Sequence, residues 1–190
     1  NDRLKIFGEL QKICDIDTKT ESSSKIDYSL ELVEKILSNE EKCVIFSFWL
    51  PPLYELKKRL DKLYNIDFSI IFDGYLDKQE REEALIKFKT NINSSVLLCS
   101  GKIGGEGINL TEANHVIFIN NWWNPSNNTQ ARDRIVRIGQ TRECHIHTLR
   151  TANTIESRLD EILDQKNNIT ETVIETLVYD IEKEKNFAST

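Results

Sequence analysis

The chain is predicted to be an α/β protein, a parallel sheet covered by helices on both faces, and three observations carry that expectation. Five short apolar runs recur along the sequence, four of them nearly uninterrupted, as in strands buried on both sides. Stretches with helical periodicity fall between them, which implies right-handed crossovers between parallel strands. The length of 190 residues and an ordinary composition are enough for one well-buried domain and too little for two full ones.

Leu4 to Ile13 reads as a short helix, and the polar run Thr18 to Ser24 after it reads as a linker. Tyr28 to Leu37 has helical periodicity, and Cys43 to Phe48 reads as the first strand. Pro51-Pro52 opens the next helix, Leu53 to Leu63, because proline is tolerated in a first turn. A strand at Phe68 to Phe72, a helix at Lys78 to Phe88 and strands at Val96 to Cys99 and Val116 to Ile119 follow. Asn127 to Ile138 is expected to be helical, and His145 to Leu149 to be the last strand. From Thr154, which caps toward Glu156, an acidic amphipathic pattern sets Ile155, Leu159, Ile162 and Leu163 on one face. The expected organisation is a helix and linker over 1–24, an α/β lobe over 25–152 and a helical extension over 153–190.

Net charge is −6, of which residues 153–190 carry −5, so the acidity lies in the extension and the lobe is close to neutral. A generic nucleic-acid binder would be basic, yet a local track of Lys102, Arg132, Arg142 and the Lys57-Lys58-Arg59 helix would meet phosphates. The same lysines also fit an ordinary solvated helix face. No apolar stretch approaches the ~20 residues of a membrane span, and the scattered Cys14, Cys43, Cys99 and Cys144 read as reduced core residues of an intracellular protein. Cys144, His145 and His147 do not form a metal set, because in a strand the cysteine faces away from the histidines.

Two segments carry chemistry. Four of the seven glycines lie in Gly101 to Thr111, directly after the Val96 to Cys99 strand, where the backbone can turn sharply and approach a ligand. This is no P-loop: Ile103 follows Lys102, and no glycine precedes it at the required spacing. No Asp-Glu pair closes a strand to hold magnesium. In the second segment, Gln130 to Gln140, a helix of about 3.6 residues per turn brings Gln130, Arg134 and Arg137 into one narrow arc. Two permanently charged guanidinium forks presented together suit phosphoryl oxygens. Taken alone, the spacing fits better a solvated face with Asp133 paired to Arg137 at i, i+4.

Together these residues resemble the Swi2/Snf2 group of superfamily 2 helicase-like ATPases, specifically the second, C-terminal RecA-like lobe. Gly104-Gly105-Glu106-Gly107-Ile108-Asn109-Leu110-Thr111 resembles motif V of that family, and Gln130-Ala131 through Asp133-Arg134 to Arg137-Ile138-Gly139-Gln140 resembles motif VI. Trp122-Trp123-Asn124-Pro125 is similar to the segment that precedes motif VI, Val44 to Phe48 to motif IV, and Asp73-Gly74 with Arg81 to the segment after the next strand. The chain departs from the pattern at Gly101, Lys102, Glu106, Asn128 and Val136, and keeps both arginines.

The resemblance implies ATP with Mg²⁺, held mainly by an N-terminal RecA-like lobe of the same polypeptide. Arg134 and Arg137 would act as fingers on its phosphates, with Gln130 in the phosphate or water network and Gly107 and Asn109 against the ribose. Ser47, Lys102, Gly104, Gly105 and Trp123 would contact double-stranded DNA, and residues 153–190 would form a brace toward the first lobe. The implied function is a DNA-dependent ATPase and double-stranded DNA translocase that remodels protein–DNA complexes, cytoplasmic in a bacterium and nuclear in a eukaryote. The piece itself would be monomeric and inactive. The alternatives are a strand-separating or RNA-directed helicase lobe, and a degenerate binding module without ATPase function.

Overall fold

The computed structural model describes residues 2–17, 20, 23–64, 68–91, 95–101, 108–120 and 125–157, with side chains for all of these except 2–7 and 125–127. Five parallel strands form one sheet in the order β2-β3-β1-β4-β5: β1 (Cys43–Ser47), β2 (Ser69–Phe72), β3 (Val96–Ser100), β4 (His115–Phe118) and β5 (His145–Thr148). Every residue of β1, β3 and β4 is buried, which is why these strands appear in the sequence as unbroken apolar runs. β5 lies at the sheet edge, and its residues alternate between half-buried and exposed.

The helices are α1 (Asp2–Asp15), α2 (Ser24–Ser38), α3 (Leu50–Leu63), α4 (Lys78–Thr90) and α5 (Pro125–Arg132). One face of the sheet packs Ile45, Leu98 and Ile117 under α2 and α3 through Ile26, Val33, Leu53, Leu56 and Leu60. The other packs Val44, Phe46, Leu97 and Phe118 under Phe88 of α4 and Ala131 of α5, with the Phe46 and Phe118 rings stacked at 5.5 Å. Helices thus cover both faces, as the alternating pattern predicts.

Local chemistry sets the helix starts. The Ser23 hydroxyl accepts the Ile26 amide at 3.4 Å, which carries α2 four residues upstream of the predicted Tyr28. Pro51 and Pro52 sit in the first turn of α3. Asp77 and Glu80 close a reciprocal capping box on α4. At the far end, the Thr154 hydroxyl accepts the Glu156 amide at 3.3 Å, and helix begins at Ile155. The extension beyond residue 157 lies outside the described residues.

One helix differs from expectation. α5 stops at Arg132, six residues short of the predicted Ile138. The amide of Arg137 turns back to the carbonyl of Ile135 at 3.0 Å, two residues away, and Gly139 has a φ of 103°. The cause is tertiary: Ile135 is fully buried in the core under β4, and the Arg134 carbonyl accepts a bond from the Leu110 amide.

Among the described residues, no helix is long and apolar enough to cross a membrane.

Candidate functional site

In a parallel α/β sheet, ligands gather beyond the carboxyl ends of the strands, above all where the connections diverge to opposite faces. Here that point lies between β1, which runs into α3 on one face, and β4, which leads to α5 on the other. A cleft of ≈ 480 Å³ opens at the carboxyl ends of β1, β2 and β3, lined by Phe48, Trp49, Pro51, Gly74, Tyr75 and Ser100. Its size is that of a small-molecule or peptide-scale site, but its described lining holds no charged side chain. Tyr75 is 82% exposed at its rim. Beneath it Asp73 is buried, one carboxylate oxygen accepting the Tyr54 hydroxyl at 3.0 Å and the other the Tyr75 amide at 2.9 Å.

The two arginines lie in the turn after α5 rather than on a shared helical arc. Gln130 is exposed on α5, Arg134 is half-buried, and Arg137 is exposed. The Asp133–Arg137 pair of the alternative, solvated-face reading does not form; Asp133 instead meets Arg132 at 3.4 Å. Exposed Val136 and fully exposed Ile138 flank Arg137 in sequence. The turn is held from outside. Leu110 donates its amide to the Arg134 carbonyl at 3.0 Å, which joins the end of the glycine-rich segment to the arginine turn. Asn109, one residue before that bond, is exposed.

Gln140 supplies the second tie. Its Nε2 donates to the carbonyls of Thr111 at 3.1 Å and Ala113 at 2.8 Å, while its Oε1 accepts the Arg142 amide at 3.0 Å. Arg142 donates in turn to the Glu112 carbonyl. The loops that carry Asn109 and the arginines are therefore one stitched unit. The motif contains Gln140, but nothing in its local spacing reveals this structural role.

Ser47 is 1% exposed, and its hydroxyl accepts from Asn120 Nδ2 and the Trp49 amide, both at 3.2 Å. The basic track over α3 is largely neutralised: Lys57 pairs with Asp61 at 2.7 Å, Lys58 with Glu55 at 3.4 Å, and Arg59 with Glu55 at 2.6 Å and Asp27 at 2.7 Å. That helix is a salt-bridged surface, because the acidic partners sit one turn away or on α2. Lys102, Gly104, Gly105, Gly107, Trp122 and Trp123 lie outside the described residues.

At the opposite, amino-terminal end of the sheet, His115 Nδ1 lies 3.2 Å from His147 Nε2, and His115 Nε2 lies 2.8 Å from Glu41. The His145 ring stacks on His115 at 4.6 Å. Cys144 instead packs beside the α4–α5 core. Among the described residues, no cluster of histidine, cysteine or carboxylate side chains has the geometry to hold a metal ion.

The sequence profile of the helicase conserved C-terminal domain matches residues 24–139. The putative ATP-dependent helicase/translocase YwqA of Bacillus subtilis is 36% identical over 183 residues, covering 91% of this chain and 20% of YwqA. DNA repair protein RAD5A of Arabidopsis thaliana is 37% identical over 156 residues, 82% of this chain and 15% of that protein. The chain thus spans a fifth or less of these curated relatives. Among solved structures, the Sulfolobus solfataricus SWI2/SNF2 ATPase core in complex with dsDNA superposes with a TM-score of 0.74 at 30% identity, covering 87% of this chain and 36% of that one.

Proposed function

Because the chain belongs to the helicase conserved C-terminal domain family, in its Snf2 group, we propose that it is the second RecA-like lobe of a DNA-stimulated ATPase that translocates on double-stranded DNA and remodels protein–DNA complexes. The observation that carries this reading is the stitched unit that joins the arginine turn to the loop leading into β4. An exposed Arg137 and a half-buried Arg134 are fixed by backbone and Gln140 bonds to the segment that carries Asn109.

Such a unit has the chemistry to complete an active site and not to constitute one. Guanidinium groups stabilise the charge that spreads over a transferring phosphoryl group, a contribution of about 10³- to 10⁵-fold in rate. The phosphate cradle, the Mg²⁺ ligands and the attacking water belong to a first lobe, in the same polypeptide, that docks against the arginine turn. The apolar surface of Val136 and Ile138 around Arg137 fits a face that such docking buries. Arg134 and Arg137 orient and neutralise the phosphates, Gln130 joins the surrounding polar network, and Asn109 lies against the sugar. Closing and opening of the two lobes around ATP then moves one grip on the duplex relative to the other. On this lobe the grip falls to Lys102, the Gly104-Gly105 backbone and Trp123, whose contacts with phosphate carry no sequence preference.

ATP hydrolysis by the full-length protein, measured without nucleic acid and with duplex DNA, single-stranded DNA and RNA, tests this reading. Duplex DNA is expected to stimulate most. Stimulation by single-stranded DNA or RNA instead favours the strand-separating or RNA-directed alternative, and absence of ATPase activity under all four conditions sinks the motor reading.

A further inference from the structure

A buried polar chain runs from the segment after the lobe, through the segment before it, to the loop that lines the cleft. Its centre is Lys25, 3% exposed, on the first turn of α2. An ammonium has three protons to donate, and this one places them on Asp15 Oδ1 at 2.8 Å, on the Ile119 carbonyl at 2.8 Å and on Glu156 Oε1. Asp15 ends α1, Ile119 follows β4, and Glu156 begins the C-terminal extension. The other oxygen of Glu156 accepts the Thr151 amide at 2.7 Å, and the other oxygen of Asp15 accepts Asn120 Nδ2 at 2.6 Å. Asn120, 2% exposed, passes the chain on: Nδ2 also donates to Ser47 Oγ at 3.2 Å, and Oδ1 accepts the Phe48 amide at 2.8 Å. Outside this core, Lys12 of α1 sits 4.8 Å over the Trp49 ring.

Two features make this more than a stabilising ion pair. First, the donors of Lys25 and of Asn120 are all used, so neither flank can shift without breaking a bond or dragging its neighbour. Second, one cation faces two carboxylates out of water, an arrangement that hydrophobic residues of similar volume commonly match in stability and that fixes geometry instead. The chain ends at the divergence of β1 and β4, on the backbone of Phe48 and Trp49, both of which line the cleft.

We propose that Lys25 and Asn120 are positioning residues through which the segments before and after the lobe set the conformation of the Ser47–Trp49 loop, and with it the lobe's response to duplex DNA. This rests on the translocase reading. A displacement of either flanking segment enters the chain at Asp15 or Glu156 and leaves it at the Phe48 amide.

The test is carried out on the full-length protein with Lys25→Met and Glu156→Gln, the latter keeping the side-chain shape while removing one charge. The ATPase rate and the half-saturating concentration of duplex DNA are measured, together with amide hydrogen exchange at Phe48 and Trp49. Lys25→Met is expected to reduce DNA stimulation about tenfold while the DNA-free rate holds, with faster exchange at both amides, and Glu156→Gln is expected to do the same more weakly. Unchanged stimulation with unchanged exchange overturns the proposal, and so does an equal loss of DNA-free and DNA-stimulated rates. If Lys25→Met does not fold, Glu156→Gln decides by the same criteria. A wild-type protein that hydrolyses ATP without responding to duplex DNA removes the translocase reading and this proposal with it, and does so before any substitution is made.

Discussion

The Leu110 amide donates to the Arg134 carbonyl at 3.0 Å, a bond between two loops that the sequence separates by a strand and a helix. It holds the arginine turn against the loop that leads into β4, and Gln140 ties the same two segments a second time. The Nε2 of Gln140 donates to two carbonyls in a half-buried position.

Gln140→Ala leaves those carbonyls of Thr111 and Ala113 without a donor, and is expected to cost about 1–2 kcal/mol in urea unfolding. Gln140→Glu, which puts an acceptor where the donor stood, is expected to cost more. Equal stability of all three proteins would show that the stitch contributes nothing.

Arg137→Ala is expected to leave the unfolding midpoint within experimental error, because the side chain is exposed and has no partner among the described residues. In the full-length protein the same change is expected to lower ATP turnover by about 10³-fold or more. An unaltered turnover would remove Arg137 from the phosphate site. Arg137→Lys keeps the charge and loses the planar fork, so only partial recovery is expected.

Asp15 gives a pH dependence with a definite sign. Burial pushes its carboxyl up to about 6, against the opposing pull of Lys25 and the hydrogen bond from Asn120. Because the folded value lies above the ordinary 3.8, its contribution to stability is complete below that ordinary value and is lost as pH rises through about 6. Whatever the offset between their curves, Asp15→Asn is expected to gain on wild type as pH rises from about 4 to about 7. A difference that is flat with pH would contradict the shift.

His147 works in the opposite direction. Burial first, then His115 and His145, holds its imidazole below the ordinary 6.5. Its contribution is therefore present above that value and is lost as pH falls through the folded value. Glu41, held low by its hydrogen bonds from His115 and Asn114, adds to the loss at still lower pH. His147→Gln is expected to gain on wild type as pH falls from about 7 to about 5, read from the same unfolding curves.

Thiol labelling distinguishes the four cysteines. Cys43 and Cys99 are buried in strands, and burial alone pushes the Cys43 thiol up to about 12 and the Cys99 thiol up as well. Native protein treated with iodoacetamide at neutral pH is expected to label only Cys14 and Cys144, and those slowly, since both are also raised. Rapid labelling of Cys43 or Cys99 would mean that the sheet opens.

The strands were legible because burial on both faces leaves its mark residue by residue: Cys43 to Phe48 is apolar at five of six positions and contains the whole of β1. Helix starts were legible where the cap is a neighbour, as with the prolines of α3 and Thr154. The pairing of Gln130, Arg134 and Arg137 on one arc was not, since a helix that runs on to Ile138 is locally reasonable, whereas the chain turns after Arg132, where Ile135 is buried and Leu110 bonds the Arg134 carbonyl. The ion pairs of Lys57-Lys58-Arg59 fit the solvated helix face that the sequence also allowed; the pairs with Asp61 and Glu55 lie within α3, and only the pair with Asp27 depends on packing. Order of residues along the chain thus set the layer architecture and the family, and singled out Arg134 and Arg137 as the candidate pair. The tertiary structure alone decided how those arginines are held and which charges are already spent. Lys25 shows the reason most simply: its three partners stand 10, 94 and 131 residues away, and no periodicity along a chain encodes bonds that form only when distant segments are brought together.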